Sequence, residues 1–299
     1  MAYHRPPRED FMGFRFAESL RTSLIAVSGA AAVMLGVATA PAGAQAKLEA
    51  KYTASLAGLP IGKGTWVLDI DEGSYNGLMS GGTTGLIKLF SSGQGASSVR
   101  GTWSDGRSLA STYSSQIKTK RKTDQVDVTL EGGKVKDFRV SPPIDADPER
   151  VPITDAEKRG VIDPMTGSML YVAGNGEMLS SSNCRRTLPL FDGRFRYNLK
   201  LAFKRMDTVR ADKGYAGPVV VCSVMFAPVA GFIPDRKAIE YLVAMRDAEV
   251  WLAPVQGTRV LVPFRVDVPT PFGSGSLEAS QFIVTPKPVQ AAIKNGKVR

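Results

Sequence analysis

The sequence predicts an all-β protein: one large, mainly antiparallel sheet, curled as a spiral or open barrel, with one or two short helices and a single disulfide. Three observations carry this. From residue 45 onward the apolar residues recur with period two, the repeat of a half-buried strand, and not with the 3.6 of a helix. Turn residues, Gly132-Gly133 foremost, punctuate the alternating runs. Helix signals are few, so a wide sheet has little but itself to cover its apolar face, and it must curl.

The first 44 residues read as an export signal. Arg5, Arg8, Arg15 and Arg21 form a basic opening diluted by Glu9, Asp10 and Glu18; Leu24 to Ala40 carries no charge. Ala42-Gly43-Ala44 has the small-x-small form that signal peptidase accepts, so cleavage is expected after Ala44, with Ala46 as the alternative. The apolar run is rich in Ala and Gly, which weighs against a retained anchor, and no Cys stands at the site to take a lipid. The expected product is an exported, soluble protein with residues 45–285 as a single β domain and 286–299 as a loose tail.

Losing the signal removes four of 38 basic and three of 28 acidic residues and leaves a formal charge of +9. In an exported protein this points away from nucleic acid. It fits scattered surface lysines that aid solubility, or peripheral contact with a membrane through anionic lipid head groups or outer-membrane polysaccharide. The densest basic cluster, Lys118, Lys120, Arg121 and Lys122, is expected at a solvated hairpin end. Cys184 and Cys222 are the only cysteines, an even count that in an oxidising compartment argues for one intramolecular disulfide; no C-x-x-C spacing supports a redox pair.

The elements follow in order. Strands are expected over 49–57, 63–71, 75–83, 98–104 and 108–117, and 125–140 reads as a hairpin turned at Gly132-Gly133. Residues 142–152, with four prolines, are extended and irregular. "TDAEKRGV" offers one or two helical turns, and "DPMTGSMLYVAG" a helix over 163–173 with Asp163 as cap and Pro164 at its first position. In "FRYNLKLAF", Phe195, Tyr197, Leu199, Leu201 and Phe203 share one face while Arg194, Arg196, Asn198 and Lys200 take the other. "GPVVVCSVMF" over 218–227 is apolar on both faces, so the strand with Cys222 is expected to be covered on both sides and to approach Cys184. Further strands are expected over 239–246, 248–254 and 276–284. In "RVLVPFRVDV", Val260, Val262, Phe264, Val266 and Val268 alternate with Leu261, Pro263, Arg265 and Asp267; Pro263 cannot donate to a ladder and marks an edge or a bulge.

The chemistry is defined by what is missing. The only histidine is His4, inside the signal, which excludes Ser-His-Asp and Cys-His nucleophiles and any imidazole metal site from the exported chain. Ser115-x-x-Lys118 has the spacing of an acyl-transfer pair but ends a strand-like run instead of starting a helix. "DIDEG" lacks the ligands of a calcium loop, and "GLMSGGTTGLIKLFSSGQG" lacks the Gly-Lys-Ser/Thr of a phosphate loop and reads as a bent strand or lip. No catalytic residue, metal or cofactor is expected; carboxylates alone would have to serve a hydrolase.

Several stretches together resemble an exported proteobacterial family called domain of unknown function 3108. They are "YTASLAGLPIGKGTWVLDI", "TTGLIKLF", "VIDPMTGSMLYV", "CRRTLPLFDGRFRYNLKL", "GPVVVCSVMFAPVAGF" and "VWLAPVQGTRVLVPFRVDVPTPFGSGSLEASQF". The pattern is also similar to related envelope-integrity proteins with a spiral β-sheet and one disulfide. The resemblance implies a periplasmic all-β protein and carries over no catalytic residues. The expectation is a non-catalytic envelope protein holding a lipid or other apolar ligand, with Trp66, Phe195, Tyr197, Leu199 and Phe264 as lining residues and the 81–95 loop and 163–173 helix as lids. The alternative is a module that binds an envelope protein through an edge strand, such as that with Pro263.

Overall fold

The computed structural model describes residues 45–85, 92–104 and 107–287. They form a 15-stranded sheet that curls without closing into a barrel by strand pairing. Strands β1 (Ala46–Leu56), β2 (Leu59–Ile70), β3 (Ser74–Thr83), β4 (Gly93–Ser104), β5 (Arg107–Thr119), β6 (Thr123–Glu131) and β7 (Lys134–Ser141) follow one another as a meander. Gly132 and Gly133 turn the last hairpin at φ 56° and 71°, the left-handed pair that a two-residue turn matching the strand twist needs. A long connection holds the short helix α1 (Pro164–Gly167), the two-residue strand β8 (Leu170–Tyr171) and a 3₁₀ turn over Ser181–Cys184. Then come β9 (Arg186–Phe191), β10 (Arg196–Arg210), β11 (Lys213–Gly214), β12 (Ala216–Ala230), helix α2 (Lys237–Ala244), β13 (Glu249–Val255), β14 (Val260–Thr270) and β15 (Gly273–Pro286). Across the sheet the order is β7-β6-β5-β4-β3-β2-β1-β15-β14-β13-β12-β10-β9, so the first and last strands are neighbours, Ala46 opposite Pro286 and Leu56 opposite Gly275.

A strap joins the two ends of this sheet. The Gly133 carbonyl accepts from Val161 N–H at 2.9 Å and Val135 N–H donates to the Lys158 carbonyl at 3.0 Å, along the β7 edge. On the other side Ile162 N–H donates to the Pro189 carbonyl and its carbonyl accepts from Phe191 N–H, at 2.9 and 3.0 Å, along the β9 edge. Phe138 and Phe191 meet edge to face across the seam at 5.3 Å. Residues 158–162 thus satisfy backbone groups that a bare edge would leave open to another chain.

The burial is two-layered around Cys222. Val219 and Val221 belong to the main core with Trp66, Leu68, Phe264 and Phe282, whereas Val220 and Cys222 belong to a second cluster with Leu170, Val172, Leu201, Val250, Leu252 and Leu261. The connection bearing β8 and the 3₁₀ turn supplies that cover, and Cys184 is bonded to Cys222 with Cα atoms 5.4 Å apart. The doubly apolar strand and the disulfide are both as the sequence indicates.

Several expectations are corrected. Pro263 stands beside a bulge, but β14 is no edge, since β13 flanks it on one side and β15 and β8 on the other. The bulge arises because Trp251 opposes Arg265 while Leu252 opposes Pro263, leaving Phe264 unpaired. The alternation is therefore broken: Phe264 stays in the main core and Val266 packs on the second cluster instead of sharing its face. The same device interrupts β10, where Phe203 opposes Cys222 and Arg205 opposes Val221, with Lys204 extra. Residues 239–246 are not a strand; they lie largely in α2, whose Ile239, Leu242 and Val243 have the i, i+3, i+4 spacing of a helical face. The 163–173 helix is cut to Pro164–Gly167, because Leu170 and Tyr171 pair with Leu261 and Val260 of β14. "TDAEKRGV" makes turns and no helix, its end being drawn into the strap. β15 runs through Pro286, where the loose tail was expected to begin; residues 1–44 and 288–299 lie outside the described residues.

Helix α1 is held from within the sheet. Fully buried Asp163 caps it, Oδ1 accepting from Thr166 N–H at 2.8 Å and Oδ2 from the Ser111 and Thr166 hydroxyls at 2.8 and 2.6 Å. With the Thr166 proton committed to Asp163, the Tyr75 hydroxyl donates to Thr166 Oγ1 at 2.7 Å. Gly101 makes room for this, since a Cβ there would lie 2.3 Å from the Tyr75 hydroxyl.

Candidate functional site

Cross-strand register places three glycines side by side. Tyr52 opposes Gly64, Gly64 opposes Gly81, Gly81 opposes Gly95 and Gly95 opposes Ile117, a row over five adjacent strands, β1 to β5. At the usual strand spacing this row runs about 19 Å from Tyr52 to Ile117. The parallel row two residues along reads Ala50, Trp66, Met79, Ser97 and Ser115. With side chains on every second residue of a strand facing the same way, the glycine row is a trough between a tyrosine, an isoleucine and a bulky tryptophan-methionine bank.

No left-handed backbone demands these glycines. None of Gly64, Gly81 and Gly95 has positive φ. Nor does a side chain occupy the space a Cβ would take, as the Tyr75 ring does over Gly101. A Cβ at Gly95 would meet only the Gln116 carbonyl at 3.4 Å and Ile117 Cγ1 at 3.5 Å, whereas the adjoining strand's backbone crowds the other two, the Ser80 carbonyl at 3.2 Å from a Cβ at Gly64 and the Lys63 carbonyl at 3.1 Å from one at Gly81. Glycine in a strand interior costs about 0.5–1 kcal/mol against alanine and marks places where something else approaches the backbone. Over the row lies a cavity of about 360 Å³, walled almost wholly by apolar atoms, in which Pro263, Val266 and Leu277 of β14 and β15 join Tyr52, Trp66, Met79 and Ile117. Tyr52 fixes one end by donating its hydroxyl to the Pro263 carbonyl at 2.7 Å, and burial pushes its phenol far above the ordinary range, so it remains a neutral donor. Trp66 is 1% exposed, and its indole N–H is buried with no acceptor.

Two other concavities differ in kind. A groove of about 590 Å³ holds Trp251 between the Arg205 and Arg265 guanidiniums, 5.2 and 4.9 Å from its ring. Its charges satisfy one another: Arg265 forks onto Asp267 at 2.8 and 2.7 Å, and Glu249 takes Lys204 and Arg205. Burial works against ionised Glu249, yet those two bonds hold its carboxyl below the usual range, and the Trp251 N–H does the same for Asp207. Most of the charge in this groove is spent on these internal pairs, although Arg210 and Asp247 also line it. The second, also about 590 Å³, lies beside α2 between Phe226, Phe232, Ile239 and Val243 and is the more open and mixed in lining. Among the described residues no three His, Cys, Asp or Glu side chains converge as a metal site.

Of the residues expected to line a ligand site, Trp66 lines the trough. Phe264 is fully buried in the main core, 5.7 Å from the Phe282 ring. Tyr197 packs on Phe226 at 5.4 Å and Leu199 opposes Phe226, in the β10–β12 region near α2; Phe195 is half-buried just before β10. They do not share one cavity with Trp66. Tyr52, Met79, Ile117, Val266, Leu277 and the three glycines were not anticipated, because the row exists only once four hairpins are in register. Of the expected lids, 86–91 falls outside the described residues, and α1 packs against β4, β5 and β9.

Fold and site together define a curled, barrel-like β-sheet protein with an apolar trough in its wall. The chain belongs to the DUF3108 family, described as a protein of unknown function, whose family model matches residues 51–280. A solved structure with a similar fold is a beta-barrel-like protein of domain of unknown function DUF1849 from Brucella abortus, 10% identical, covering 80% of this chain and 98% of that one at a TM-score of 0.44. No curated protein matches the chain.

Proposed function

We propose that the protein is a non-catalytic holder of a single apolar chain, such as the acyl chain of a lipid, acting in the periplasm in support of the cell envelope. One observation carries this: three neighbouring strands give up side chains at one level beneath an apolar wall, none of them for a left-handed backbone, and at Gly95 with ordinary room for a Cβ. The dimensions suit a slender ligand, and a carbonyl or carboxyl oxygen carried in with the chain would satisfy the Trp66 donor. The buried disulfide and the signal-like first 44 residues support an oxidising, exported setting. The reading as an edge-strand binder loses some support, since the strap pairs with Gly133–Val135 at the β7 edge and Pro189–Phe191 at the β9 edge.

Gly95→Val tests the proposal. Its Cβ meets only ordinary contacts, while its methyl groups enter the trough, so binding of a fluorescent fatty acid in titration should weaken by about tenfold or more as the occupied volume is lost. The melting temperature should hold or rise, because valine suits a strand better than glycine. Unchanged probe affinity in Gly95→Val, or no saturable probe binding by the wild type, would overturn the reading.

A further inference from the structure

We infer that the sheet end nearest the trough is a docking rim for an anionic lipid surface. Two hairpin tips there are uncharged and apolar: Leu59 in the β1–β2 turn is 71% exposed and Phe272 in the β14–β15 turn 80% exposed, the two most exposed large apolar side chains among the described residues. The tips touch, Ala57 N–H donating to the Ser274 carbonyl at 2.8 Å, so the two side chains belong to one patch. Both turns are stiff. Ala57 and Gly58 sit at φ 49° and 80°, and Thr270 Oγ1 donates to the Gly273 carbonyl at 2.6 Å while accepting from Phe272 N–H at 3.2 Å.

The antiparallel order brings the β5–β6 turn to this same end. It carries Lys118, Arg121 and Lys122; Lys122 keeps most of its surface in water despite pairing with Asp124. The turn is fixed by Thr119, which bonds Lys122 through both backbone and side chain. The opposite ends of the same strands bear Asp71 and Glu72 in the β2–β3 turn and Glu131 before the β6–β7 turn. Of those acids Asp71 is balanced by Lys287 and Glu131 by Lys136, so the turn beside the apolar tips is the one with basic charge in excess. Apolar tips beside a basic turn suit an interface where hydrocarbon begins and phosphates carry the charge; an uncharged or cationic partner would not engage the basic turn. Tyr52 lies five residues before Ala57 of the β1–β2 tip, about 17 Å along the strand, so docking would set the trough beside the lipid surface.

The docking claim is independent of the trough reading, and flotation with the purified, disulfide-bonded protein separates them. The wild type should float with phosphatidylglycerol-rich vesicles, more weakly as salt rises, and not with phosphatidylcholine vesicles. Leu59→Ser with Phe272→Ser should cut that binding by about tenfold or more, since two insertable side chains are lost. Both sites are exposed, so melting and the fatty-acid titration should not move. Lys118→Glu with Arg121→Glu should weaken flotation and flatten its salt dependence. Gly95→Val should still float. Failure of the wild type to float, equal binding to both vesicle types, or flotation untouched by the tip substitutions would overturn the inference.

Discussion

Cys184→Ser lowers the melting temperature by about 10 °C. The bridge closes a loop with a sequence separation of 38, for which chain entropy gives about 4 kcal/mol, and in a domain of this size each kcal/mol moves the midpoint by about 2–4 °C. Both sulfurs are fully buried, so the serine hydroxyl also enters the second apolar cluster without an assigned partner. The loss concentrates in the β10, β12 and β13 layer and the cover made by the 168–184 connection. Thermal melts of wild type and variant check the size, and thiol titration of the native wild type should find no reactive sulfur. Equal melting temperatures would mean that the bridge contributes nothing.

Asp163→Ala destabilises by about 3 kcal/mol, read as a shifted denaturant midpoint with an unchanged slope. The substitution leaves the buried Thr166 N–H and Ser111 hydroxyl without their acceptor, leaves the Thr166 hydroxyl only Tyr75, and removes the cap of α1. Asp163→Asn should cost less. Its Oδ1 still caps Thr166, and the two hydroxyls can rotate to accept from the amide that replaces Oδ2. If the two variants lose the same amount, the carboxylate's charge and not its acceptor count is what the site uses.

Much of the fold was legible because a period of two is local information. Every strand of the meander is written in its own alternation, and the Gly132-Gly133 turn declares its hairpin. What failed were places where tertiary pairing overrides local pattern. Leu170 and Tyr171 look like the end of a helix begun at Pro164, but β14 offers them ladder partners. "AIEYLVAM" is rich enough in β-formers to pass for a strand, yet it connects β12 to β13 and curls as α2. The bulge at Phe264 leaves no mark beyond Pro263, so the alternation was carried one step too far across it; the bulge at Lys204 falls just after Phe203, where the expected alternation of β10 ends. The site was the least legible part. Gly64, Gly81 and Gly95 stand apart in sequence and resemble ordinary loop punctuation; only register shows that they are one feature. Of the expected lining residues, Trp66 is the one that reaches it.

The pairing of β1 with β15 has a consequence for how the protein is made. The outermost ladder of the N-terminal meander is completed by the last strand, Ala46 against Pro286 and Ala50 against Phe282. A growing or translocating chain therefore carries Leu48, Ala50 and Tyr52 on a half-paired strand until its final residues emerge. Contacts of such long sequence separation form late and slowly. A polypeptide halted before Gly273 should remain a sticky, protease-sensitive intermediate that needs a chaperone, whereas one ending just after Lys287 should mature normally.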